Sequence, residues 1–125
     1  MPLLTTDASN PLGTKIATET DGKSSTVNQI DDTAGIIYQV EGKNLNGAND
    51  VYLKVYAGIS QAPTVGSTAP THIYRISAGS SMSVSYPAGL SYTTGLFAAV
   101  VETSGGTEGS DDPSSAVTYS IRYTT

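Results

Sequence analysis

The sequence predicts an all-β domain: an antiparallel β-sandwich, jelly-roll or immunoglobulin-like, with seven to eight strands. Three observations point there. Charged residues make up only 14% of the chain and hydrophobic ones 38%, and the remainder is largely Ser, Thr, Gly and Asn. Thr and Tyr favour strands, while Gly, Asn and Ser favour turns. Short segments alternate apolar and polar residues along most of the chain, the period of a half-buried strand, and none holds helical periodicity over a normal helix length. At 125 residues the chain is one domain, long enough for a real core.

The elements follow in order. Residues 1–13, "MPLLTTDASNPLG", hold Pro2 and Pro11 and no sustained period. They read as an extended N-terminal arm ahead of a single sandwich domain over 14–125. "TKIATETDGKSSTVNQI" places Asp21-Gly22 between Thr-rich flanks. A type I′ turn needs φ > 0 at both central residues, so Asp-Gly predicts a hairpin here, at a sheet edge or against another chain. "GIIYQVEGKNL" puts Ile36, Tyr38 and Val40 on one face and Ile37, Gln39 and Glu41 on the other. "NLNGAND" is a turn, and "VYLKVYAG" alternates Val51, Leu53 and Val55 with Tyr52, Lys54 and Tyr56. "SQAPTVGSTAP" is a loop, "THIYRIS" a strand, "AGS" a turn, "SMSVSYP" a strand and "AGLSYTTG" a connection. "LFAAVVET" reads as a buried, almost continuously apolar strand. "GGTEGSDDP" then joins it, as a hairpin connection, to "AVTYSIRYTT", where Val117, Tyr119, Ile121 and Tyr123 line one face.

Composition narrows the function. The net charge is −5, from 11 acids against 6 scattered bases, which argues against a nucleic-acid partner. Without cysteine there are no disulfides and no cysteine metal sites. The N-terminus lacks the basic and apolar regions of a signal peptide, and no apolar run is long enough to span a membrane. The expectation is synthesis in a cytoplasm, with no membrane partner.

Candidate chemistry is sparse. His72 is the single histidine, in a predicted strand with no acid in its own segment, and no G-x-S-x-G stands anywhere. No carboxylate pair stands out, so no enzyme is expected, no catalytic residue is assigned and no cofactor is expected. Glu108, Asp111 and Asp112 are weak calcium candidates, but calcium wants six to eight oxygens and the EF-hand pattern is absent. Solvated loop charge is the simpler reading. Asp31 and Asp32 read likewise as a turn in which Asp bonds its own backbone. Tyrosine accounts for eight residues, phenylalanine for one, and tryptophan is absent. With one face of "VYLKVY" in the core, Tyr52, Lys54 and Tyr56 would point outward, suited to a partner surface or to sugar stacking. The bland alternative is tyrosine at the core margin with its hydroxyl in water.

The order of segments adds a resemblance. "DVYLKVYAG", "APTVGSTAPTHIYRISAGSSMSVSYPAGLSYTTGLFAAVVETSG" and "SAVTYSIRYTT" are similar to small virion structural proteins of tailed bacteriophages, of marine and cyanobacterial type. The likeness covers roughly residues 34–125. It implies a non-enzymatic capsid decoration (cement) protein on the outside of the shell, partnered by the major capsid protein and by copies of itself, with a trimer favoured. The arm, through Leu3 and Leu4, and the first hairpin would face the capsid. The alternative is a host-surface or carbohydrate-binding module on a tail or head fibre. A β-sandwich hydrolase using His72 is a third reading.

Overall fold

The computed structural model describes residues 13–22, 25, 27–102 and 111–125. The arm with Leu3 and Leu4, and Glu108 in the acidic loop, lie outside the described residues. The described residues contain eight strands: β1 (Lys15–Glu19), β2 (Asn28–Asp31), β3 (Gly35–Asn44), β4 (Val51–Ala57), β5 (His72–Ile76), β6 (Ser81–Tyr92), β7 (Leu96–Val101) and β8 (Val117–Thr124). They form two four-stranded antiparallel sheets, ordered β1-β8-β3-β6 and β2-β7-β4-β5. Strands pair from the outside of the chain inward: first with eighth, second with seventh, third with sixth, fourth with fifth. Successive strands alternate between sheets until β4 and β5. That is the order of a jelly roll, so the immunoglobulin-like alternative is set aside.

The alternation written in the sequence places the core. β8 buries Val117, Tyr119, Ile121 and Tyr123 against Val51, Leu53 and Val55 of β4 and Ala98 and Val100 of β7. β7 is buried at all six positions, as its unbroken apolar run requires. β3 departs from simple alternation. A bulge between Ile37 and Gln39 turns Ile37 and Val40 both inward, so the grouping of Ile36 with Val40 on one face does not hold. Across from it, Tyr86 to Gly89 intervene between Ser85 and Leu90 without breaking β6. "AGLSY" is therefore strand rather than connection. Pro87 is tolerated because β6 is an edge strand and this stretch is bulged.

Two expected hairpins do not form. β1 pairs with β8 and β2 with β7, so the segment around Asp21-Gly22 crosses from one sheet to the other. Gly22 serves close approach instead. Its N–H donates to Val117 O at 2.8 Å, and a Cβ there would lie 2.6 Å from Val100 Cγ2. The acidic connection after β7 likewise crosses between sheets, because β7 and β8 belong to different ones.

Tyrosine hydroxyls fasten the two sheets together. Tyr119 OH accepts from Asn28 Nδ2 at 2.6 Å, Tyr123 OH donates to Ile30 O at 3.1 Å, and Tyr92 OH donates to Asp31 Oδ2. All three tie short β2 to the opposite sheet. On the far side, the hydroxyls of Tyr74 (β5) and Tyr86 (β6) lie 2.8 Å apart. These tyrosines do sit at the core margin, but their hydroxyls bond protein across the sandwich rather than water alone.

Candidate functional site

The two outer faces of the sandwich differ. That of β2-β7-β4-β5 carries a small apolar cluster of its own: Tyr56, Phe97 and Ala99 are buried, with Val27, Ile59 and Val65 packed on them. Lys54 and Tyr56 do point away from the main core, as their spacing predicted, but they are not exposed. Lys54 is 0% and Tyr56 1% accessible, so neither is presented to a partner. Tyr52 is half-buried. The covering residues Ile59 and Val65 come from the long loop after β4, and a period-two pattern within β4 holds no information about what later folds over it. Tyr56 OH is buried with no hydrogen-bond partner among the described residues, and burial raises its phenol pKa.

The outer face of β1-β8-β3-β6 is polar, with serine and threonine hydroxyls set among longer polar and charged side chains. Across the strands, Glu41 stands opposite Ser83 on one side and Ser120 on the other, and Lys43 opposite Ser81 and Thr118. These six line an open trough of about 400 Å³. Thr18 and Ser120 share a hydroxyl contact at 3.1 Å, and Gln39 Nε2 donates to Ser83 Oγ at 3.1 Å. Gln39 and Arg122 are direct cross-strand neighbours, and Gln39 Oε1 and Arg122 Nε are both buried without a partner among the described residues. Alternation along β8 leaves Thr118, Ser120 and Arg122 on the face opposite Val117, Tyr119, Ile121 and Tyr123. What it could not show was that β3 and β6 add Glu41, Lys43, Ser81 and Ser83 beside them, because that needs the strand order.

Charge elsewhere is largely engaged. Arg75 holds Asp50 Oδ2 through Nη2 at 2.6 Å and Nε at 3.0 Å, while Ala78 N–H donates to Oδ1 at 2.9 Å. The Ala78 amide, then Arg75, lowers the pKa of the Asp50 carboxyl. At the base of the acidic loop, Asp112 accepts from the Ser25 N–H and Oγ, both at 2.9 Å, and Asp111 O accepts from Glu102 N–H at 2.9 Å. Glu102 in turn accepts from Asn49 Nδ2 and Ser114 N–H. Asp112 is thus a cross-linking residue rather than simple solvated charge. Among the described residues no group of three or more His, Asp or Glu side chains could hold a metal ion. His72 is half-buried, its ring tilted 39° to that of Tyr74 with centroids 6.3 Å apart.

Comparison with protein-family models, with curated proteins and with solved structures finds no match for this chain.

Proposed function

We propose that this chain is a non-enzymatic structural protein of a bacteriophage virion, a decoration protein that binds the outer surface of a capsid shell through the face of β1-β8-β3-β6. The observation that supports this most is the contrast between the two faces: one is closed by an apolar cluster, the other is an open polar trough in which four hydroxyl side chains flank Glu41 and Lys43. Small-ligand sites are concave and enclosed. An open trough with serine and threonine around Glu41 and Lys43 suits another protein surface instead: its short side chains lose little rotamer freedom on docking, and the two charges offer both signs to a complementary partner. Jelly rolls serve as viral capsid domains and as lectins. The sugar-stacking reading loses its aromatic pair, since Tyr56 is buried beside half-buried Tyr52. The resemblance to phage virion proteins names the shell and, with it, the major capsid protein as partner.

Electron microscopy of the parent particle, with and without this chain, tests the proposal. Density for the sandwich on the shell exterior, lost when the chain is omitted, is the expected result. Saturable binding to host envelope with no affinity for shells would replace it with the host-surface module.

A further inference from the structure

The four edge strands are guarded unequally. An open edge is a template for pairing, and proteins blunt it with short strands, bulges, proline or engaged charge. β2 is four residues long, carries a register shift and is bonded to the other sheet through Asn28, Ile30 and Asp31. β6 holds Pro87 and a bulge. β5 has Arg75 engaged by Asp50. β1 is regular in its register with β8, has no proline, and exposes Lys15, Ile16 and Thr18, with Ile16 54% accessible.

The sequence of β1, Lys-Ile-Ala-Thr-Glu, is complementary in charge to itself when reversed. Antiparallel pairing of two copies about a two-fold axis at Ala17 sets Lys15 opposite Glu19 of the second copy, and Glu19 opposite its Lys15. Ile16 then faces Thr18, and Ala17 faces Ala17. Registers centred on Lys15 or on Glu19 oppose like charges instead, which is destabilising. The charges that would guard this edge against foreign strands therefore select one register with a second copy of the same chain. We infer that β1 is a homodimer contact, joining the two sheets that contain it into one continuous sheet across a two-fold axis. The contact uses β1 alone and does not rest on the virion reading.

Sedimentation equilibrium of the full chain, over a wide concentration range at low salt, tests this. The expected species is a dimer of twice 12.9 kDa. Lys15→Glu and Glu19→Lys should each weaken it by roughly tenfold or more, since two attractive pairs become repulsive. The double variant Lys15→Glu with Glu19→Lys should restore it. Mixing the two single variants should give a heterodimer, because each then supplies the charges the other lacks. Circular dichroism confirms that each variant is folded, and the other single variant stands in if one is not. A monomer at every concentration, a trimer of the kind the phage resemblance implies, or single charge-reversed variants that dimerise like the parent would each overturn the inference. A monomer would leave the particle experiment to decide the virion reading separately.

Discussion

Asp31 begins as a turn residue and ends as a fastener. Its Oδ1 takes the Thr33 N–H at 3.1 Å and the Thr33 hydroxyl at 3.0 Å, the side-chain-to-backbone turn its sequence context predicted. Its Oδ2 takes the Tyr92 hydroxyl from the other sheet. Burial pushes this carboxyl up, but the bonds from Tyr92, Thr33 and the Asp32 backbone outweigh it and hold the pKa below the ordinary value. A lowered folded-state pKa stabilises the fold above the unfolded value of about 3.9, and that contribution is lost as pH falls through the folded value. Asp31→Asn should therefore cost about 1–3 kcal/mol at neutral pH and flatten the acid limb of stability. Thermal melts of both proteins from neutral to strongly acid pH check this. Equal melting at neutral pH with an unchanged acid limb would remove Asp31 from the account.

At the scale of elements, the weak member is β2, too short to hold itself. It has one neighbouring strand, β7, and three hydroxyl bonds to the opposite sheet. Tyr119→Phe strands the Asn28 amide and should cost about 1–3 kcal/mol by chemical denaturation, with little change in folded-state circular dichroism. Burial pushes the Tyr119 phenol up to about 12, with nearby Glu19 adding to the rise and the Asn28 bond opposing it. A raised pKa means its stabilisation is whole below the unfolded value of about 10 and is lost as pH climbs through the folded one. Alkaline titration should show a late class of tyrosinate absorbance appearing together with loss of β-sheet signal; early ionisation of every tyrosine in an intact fold would contradict this. Gly22→Ala, where the chain crosses between sheets, should cost about 1–3 kcal/mol through overpacking against Val100, and an unchanged denaturation midpoint would refute it. The strands themselves were legible in the sequence because a half-buried strand needs period two and a doubly buried one needs an apolar run. Their order was not. Asp-Gly and "GGTEGSDDP" signal a change of direction, but turn chemistry does not say whether the chain returns to the same sheet or to the facing one. Pro87 suggested a strand end because its missing N–H is harmful only in a central strand, and edge position is a property of the whole sheet. Lys54 and Tyr56 point outward by period but are buried for a similar reason: Ile59 and Val65, which cover Tyr56, lie beyond the strand, where its alternation carries no information.

For the whole molecule, the proposed role depends on which face meets a partner. Ser120 lies in the trough of the hydroxyl face, and Tyr52 lies on the other outer face. Ser120→Arg should lower shell binding by about tenfold or more through bulk at the centre of the contact, while Tyr52→Ala leaves it unchanged. Co-sedimentation with shells lacking this chain measures both, and the reverse pattern would assign docking to the other face.

The pairing of β1 with β8 has a mechanical consequence. Lys15 stands opposite Tyr123, so the two ends of the sandwich leave it side by side, at one end of one ladder. A load applied between those ends peels β1 from β8 a residue pair at a time. A load between β1 and a loop at the opposite end must shear several pairs together. Single-molecule pulling should record a low, gradual release in the first geometry and an abrupt, higher one in the second. A shell component attached through one end would give way or hold according to the direction from which the particle is strained.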